Sequence, residues 1–213
     1  MSESPAWLRE QFDTPEQQQE AARLGMWAFI ATEVMFFGGL FVGYIVYRHT
    51  YPAEFVAASR HTNLLYGTLN TAILLTSSLT MALGVHAAER GVAKAIARNV
   101  GLTILLAGAF LGVKALEYTQ DFHDHLVPGP GFYNKIDPGQ ELFFYFYWAM
   151  TGLHALHVLI GIGLLSTIAI KAKRGRFSAQ YHTPVEVVGL YWHFVDVVWI
   201  YLYPLLYLIG RHR

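Results

Sequence analysis

The chain has 213 residues, 54% of them hydrophobic and 14% charged, with a mean hydropathy of +0.33. Soluble domains carry about a quarter charged residues, so this composition calls for lipid around much of the surface and marks a polytopic membrane protein. Fifteen basic residues balance fifteen acidic ones, which argues against nucleic acid as a partner, and the lack of cysteine excludes disulfides, thiolate metal sites and thiol nucleophiles.

The opening stretch MSESPAWLREQFDTPEQQQE is polar and has no basic start, apolar run or small-residue cleavage site of the signal-peptide kind. Within it, TPEQ at Thr14 to Gln17 has the capping-box order with Pro15 at the first helical position, which predicts a short interfacial helix ahead of the membrane. Residues 1–23 thus form a polar N-terminal segment, and residues 24–210 a single five-helix transmembrane domain. About 20 predominantly apolar residues cross a bilayer. Five segments qualify: Leu24 to Val46, Leu64 to His86, Asn99 to Tyr118, Leu142 to Ile170 and Val185 to Ile209. The linker at 121–140 is broken by Pro128, Gly129, Pro130, Pro138 and Gly139 and reads as an irregular loop outside the hydrocarbon. The expected fold is all-α, a polytopic helix bundle. Lys and Arg are denser on the side holding Arg9, Arg23, Arg90, Lys94, Arg98 and the run KAKRGR, so the N-terminus is expected to be cytoplasmic and the C-terminus outside.

Several polar residues fall inside these spans. Glu33, in ATEVMFF, lies nine residues past Leu24, about 14 Å into the bilayer and near its midplane. A carboxylate there costs a few kcal/mol, about 3 on the lenient insertion scale, which makes it a functional-site hypothesis. Proton carrier, metal ligand, substrate contact and a protonated carboxyl bonded to a backbone carbonyl are all open readings. YWHFVDVVW puts His193 and Asp196 three apart on one face, either as a proton-holding pair or as two groups that each pair across a helix interface. TGLHALHV places His154 and His157 likewise. Two such histidines suit a metal or haem, but no His-Glu-x-x-His pattern accompanies them, and interhelical hydrogen bonding explains them as well. Lys114 and Glu117 form a further pair near a helix end, where the lysine is expected to snorkel. Gly39-x-x-x-Gly43 and Gly108-x-x-x-Gly112 permit close helix approach, and Pro204 is expected to kink the last span.

Taken in order, IATEVMFFGG, LNTAILLTSS, ALEY, TGLHALHVLIG and above all YWHFVDVVWIYLY resemble subunit III of the haem-copper oxidases, the cytochrome c oxidase type in particular. One motif falls in each of the five spans. The resemblance implies a non-catalytic accessory subunit of a proton-pumping terminal oxidase that oxidises cytochrome c and reduces dioxygen to water, in a bacterial inner membrane. It would stabilise subunit I, support proton uptake and carry no redox centre, with haem and copper held in subunits I and II and a small subunit IV as a further partner. It also implies bound phospholipid, with Glu33 beside lipid in a cleft and Lys171, Arg174 and Arg176 placed to meet head groups. His154, His157, His193, Asp196, Lys114 and Glu117 are then structural polar groups. The longest members have seven spans, and this chain has five. Subunit III of a quinol oxidase or of a nitric oxide reductase-type complex is the near alternative. From another class come a small proton or solute transporter using Glu33, Asp196 and the histidines, and an intramembrane histidine metalloenzyme. Neither accounts for five motifs in the family's order.

Overall fold

Helix starts and stops follow the local chemistry of the chain. The structure, a computed structural model, describes residues 7–132 and 137–211. Helix α1 (Pro15–Thr50) opens on Thr14, whose Oγ1 accepts the Gln17 N–H at 3.2 Å, while Gln17 Oε1 accepts the Asp13 N–H at 2.9 Å. No proline interrupts the chain from residue 16 to residue 50. The helix predicted ahead of the first span is therefore the first turns of α1 itself and not a separate element. Tyr51 precedes Pro52 and sits at φ −124°, outside the helical region that a following proline disfavours. A short α2 (Pro52–Ser59) follows, which the apolar pattern gave no reason to expect. Asn63 then caps α3 (Leu64–Glu89), accepting from the N–H groups of Leu65 and Tyr66.

The turn into α4 (Ala93–His123) is a Schellman motif: Gly91, at φ +69°, donates to Ala88 O, and Val92 donates to Ala87 O. Helix α5 (Pro138–Lys173) begins on an Asp137 cap. Both helices outrun the predicted spans, so residues 121–123 and 138–140 of the expected loop are helical; of the remainder, 133–136 lie outside the described residues. Helix α6 (Thr183–Tyr203) passes into a π turn over Pro204–Leu208. The expected kink thus takes the form of a widened turn, where the proline lacks the N–H an α-helix needs.

Five of these helices are long and apolar enough to cross a membrane. Helices α3 and α4 form an antiparallel hairpin, α6 packs against both α3 and α5, and α1 lies along α6 and α5. Between helices in lipid the hydrophobic effect contributes little, and close packing with interhelical hydrogen bonds takes over. The seams show both. Trp192 wedges against Gly161 and Val85 against Gly189, while Trp192 Nε1 donates to Ser77 at 3.2 Å and Trp199 Nε1 to Thr71 at 3.1 Å. The small-residue pairs expected to carry packing behave otherwise. A methyl on Gly39, Gly108 or Gly112 would meet nothing within 4 Å, and Gly43 faces only the Phe146 ring. Gly39, Gly108 and Gly112 lie on the outer surface of this chain, beside exposed side chains such as Met35 and Leu105.

Candidate functional site

Glu33 is buried except for about a fifth of its side chain, and its partner is a histidine. His157 of α5 brings Nε2 to 3.2 Å from Glu33 Oε2, while its Nδ1 sits 2.8 Å from Leu153 O one turn back. Since the backbone carbonyl needs a donor, Nδ1 carries a hydrogen. Tyr191 of α6 donates to the His157 carbonyl at 3.0 Å, and the Phe37 ring meets the imidazole edge-on at 5.2 Å. The carboxyl, for which a bond to a backbone carbonyl is one of the open readings of the sequence, is thus tied across to a second helix. Along α1, Glu33 is ten residues past Arg23, about 15 Å, and Arg23 forms an ion pair with Glu186 at 2.7 Å. An apolar groove of about 280 Å³ begins one residue on, between Val34, Phe37, Phe41, Phe194, Val198 and Tyr201.

The other histidines and Asp196 do not form the pairs their spacing suggests. His154 turns away from His157 into the core, between Phe110 and Trp199, and neither ring nitrogen has a hydrogen-bond partner among the described residues. His193 bonds Ser78 of α3 through Nδ1 at 2.8 Å. Asp196 makes no hydrogen bond of standard geometry, and the same Ser78 is the polar side chain it faces. Each member thus looks across to α3, with one serine between them. No group of three or more His, Asp or Glu side chains that could hold a metal ion occurs among the described residues.

Lys114 and Glu117 do meet, at 3.0 Å, but not at the surface. Lys114 is 2% exposed and points inward, contrary to the snorkelling expected, because three acceptors hold it there. Its Nζ lies 3.0 Å from Glu117 Oε2 and 2.9 Å from each of the Tyr147 and Tyr207 hydroxyl oxygens. Tyr147 stands 3.0 Å from Glu117 Oε1 and 2.8 Å from Asp121 Oδ2, and Tyr207 donates to Glu117 Oε1 at 2.8 Å. The ammonium also sits over the rings of Tyr147 and Tyr118, at 4.5 and 4.7 Å from their centroids. The network joins α4, α5 and the π turn.

At the other end of the bundle the basic run caps α5. Gly175, at φ +65°, donates to Ala172 O and Arg176 to Lys171 O, a second Schellman turn that turns the chain back on itself. Lys171, Arg174 and Arg176 line a cleft of about 510 Å³ with Phe177, Ser178 and a stacked pair, Trp7 on Tyr181 at 4.9 Å. None of the three cations has an ion pair among the described residues.

The family model described as cytochrome c oxidase subunit III matches residues 13–211, from just before the α1 cap to just past the π turn. The chain belongs to this family. It is 33% identical over 189 residues to cytochrome c oxidase subunit 3 of Thermostichus vulcanus, covering 88% of this chain and 87% of the relative. To the protein of the same description in Corynebacterium diphtheriae it is 36% identical over 188 residues, 87% of each. Quinol oxidase subunit 3 of Bacillus spizizenii is 30% identical over 198 residues, 92% of each. As a subunit III of the haem-copper oxidases, the chain sets its family motifs at helix seams: TGLHALHV supplies the His157 partner of Glu33, and YWHFVDVVW supplies Trp192 against Gly161.

Sequence reasoning missed Ser78, Asp121, Tyr147 and Tyr207. Asp121 carried a signal, since it falls at i+4 from Glu117 and i+7 from Lys114 and so shares their face. The tyrosines carried none among the chain's thirteen.

Proposed function

We propose that this subunit III serves as the non-catalytic accessory subunit of a proton-pumping terminal oxidase of the cytochrome c branch, in a bacterial inner membrane with its N-terminus cytoplasmic. Haem and copper in subunits I and II do the redox chemistry. This chain stabilises subunit I and supports proton uptake, with a small subunit IV as a further neighbour. The match over residues 13–211 to the family described as cytochrome c oxidase subunit III carries the reading. The quinol branch is the second reading, favoured by the Bacillus relative that spans 92% of both chains.

Phospholipid is the proposed ligand. Lys171, Arg174 and Arg176, with no ion pair among the described residues, suit phosphate head groups at an interface. Their cleft and Glu33 stand at different depths: His157 precedes Lys171 by 14 residues on α5, about 21 Å of helix. One leaflet of a bilayer is of that order, about 20 Å. A lipid seated by its head group in the basic cleft therefore ends its acyl chains at the level of Glu33 and the adjoining apolar groove.

Affinity purification in mild detergent, with an optical spectrum and mass identification of partners, tests the assignment. Haem a bands with a copper A-bearing subunit II are expected. Haem o or b without copper A moves the chain to the quinol branch, and recovery without any haem protein refutes both. For the lipid site, exchanging Lys171, Arg174 and Arg176 for Gln should lower the phospholipid retained by the complex, and unchanged lipid phosphorus contradicts it. A hydrophobic carbodiimide should modify Glu33; labelling of other carboxyls that spares Glu33 counts against its lipid contact.

A further inference from the structure

The network of Lys114, Glu117, Asp121, Tyr147 and Tyr207 is sealed within this chain, each member being at most 4% exposed. Its charges do not balance as they stand, with one ammonium set against two carboxyl groups. Burying a net charge in a helix bundle is expensive, and buried ions persist where they are paired and fully hydrogen-bonded.

Counting hydrogens locates the discrepancy. Lys114 has three N–H donors, and they face Glu117 Oε2 and the oxygens of Tyr147 and Tyr207. Tyr207 has one proton, which goes to Glu117 Oε1. Tyr147 also has one, yet its oxygen stands at hydrogen-bonding distance from two carboxylate oxygens, 3.0 Å from Glu117 Oε1 and 2.8 Å from Asp121 Oδ2. With both carboxyls ionised, one of these close contacts sets lone pair against lone pair. A proton on Asp121 removes the conflict. Asp121 then donates to Tyr147, Tyr147 donates to Glu117, and Glu117 stays ionised with three donors, one of them the ammonium. The Tyr147 oxygen accepts from Lys114 and Asp121, which fills both its lone pairs, and the network becomes neutral.

We infer that this network is a proton-binding site of capacity one, with the proton held by the Asp121 carboxyl and shared with the Tyr147 hydroxyl. Among the described residues, the charged and titratable groups around it are Glu117, Lys114, Tyr118 and Asp124 from α4 and its cap, Tyr147 from α5 and Tyr207 from the π turn. From α6 only Trp199 reaches the ammonium, at 5.9 Å from its ring centroid. Asp121 is the member nearest the end of α4, where His123, Asp124 and His125 are exposed. The inference concerns this chain's own interior and holds for either oxidase branch.

Infrared absorption of the purified oxidase complex, containing the full chain, tests it. The spectrum of the unaltered complex minus that of Asp121→Asn should show the loss of one protonated-carboxyl C=O band that moves in D2O, with the carboxylate region flat. Loss of a carboxylate band with a flat C=O region overturns the proposal. Glu117→Gln leaves one carboxyl facing the ammonium, so Asp121 should give up its proton and the C=O band should again be lost. A C=O band retained in that variant shows that the network does not hold itself neutral and overturns the proposal. If Asp121→Asn does not assemble, Asp121→Glu keeps a carboxyl on a longer arm. Its difference spectrum should then be a shifted C=O band, and a shift confined to the carboxylate region overturns the proposal.

Discussion

Gly161 and Gly163 lie two residues apart on α5 and should respond to the same methyl with opposite sign. An ideal Cβ on Gly161 falls 2.7 Å from Trp192 Cζ3 and 2.8 Å from Cε3, with Trp192 fully buried and bonded to Ser77. Carbon atoms prefer a separation of about 3.5–4.0 Å, so Gly161→Ala forces the indole to move by roughly 0.8 Å or more. Overpacking of this kind costs about 1–3 kcal/mol. Weakening the Trp192–Ser77 bond adds about 0.5–1.5 kcal/mol. Alanine returns about 1 kcal/mol of helix propensity, for a net loss of about 0.5–3.5 kcal/mol. Nothing lies within 4 Å of a Cβ on Gly163, so Gly163→Ala keeps only the propensity gain, up to about 1 kcal/mol. The comparison is made on the full-length chain in mixed micelles, by denaturant unfolding followed through tryptophan emission. Because Tyr191, beside Trp192, bonds the His157 carbonyl, Gly161→Ala should also loosen the Glu33 pocket and alter its carbodiimide labelling. Equal stability of the two variants would refute the wedge.

Lys114→Met should destabilise the chain by about 3–5 kcal/mol by stranding a buried carboxylate, and Lys114→Met with Glu117→Gln should recover much of that loss in the same unfolding assay. A double variant no better than the single one shows that the pair is not coupled. Tyr44→Phe removes the hydroxyl that donates to Leu205 O and should cost about 1 kcal/mol, read as a lowered melting midpoint. Arg23→Gln breaks an ion pair whose arginine is half exposed, so its cost should stay below about 1 kcal/mol and vanish at high salt.

The five spans were legible because a run of twenty apolar residues has few other uses, and Glu33 was legible by its cost. Its partner was not. His157 lies 124 residues away, and the i, i+3 spacing with His154 says that two rings share a face without saying that one looks to α1 and the other to the core. The same limit hid the direction of Lys114. A lysine in the last turns of a span reads as one that reaches for the interface, and only Tyr147 and Tyr207, 33 and 93 residues downstream, draw it inward. Helix ends were misjudged where polar sequence was mistaken for loop: DFH at 121–123 remains helical because the face bearing Asp121 is buried. The small-residue stripes failed for a related reason. A glycine pair shows that close approach is allowed, and the wedges that use it here include Gly161, Gly189 and Gly67, set by Trp192, Val85 and Tyr207 on neighbouring elements.

The place of Tyr207 fixes an order of assembly. Helix α4 brings Lys114, Glu117 and Asp121 toward the bilayer long before the ribosome reaches the π turn, and Tyr147 arrives with α5 only midway between. Until Tyr207 is made, Glu117 lacks one of its three donors and Lys114 one of its three acceptors. The network is therefore incomplete until the π turn is in place, and that turn acts as its latch.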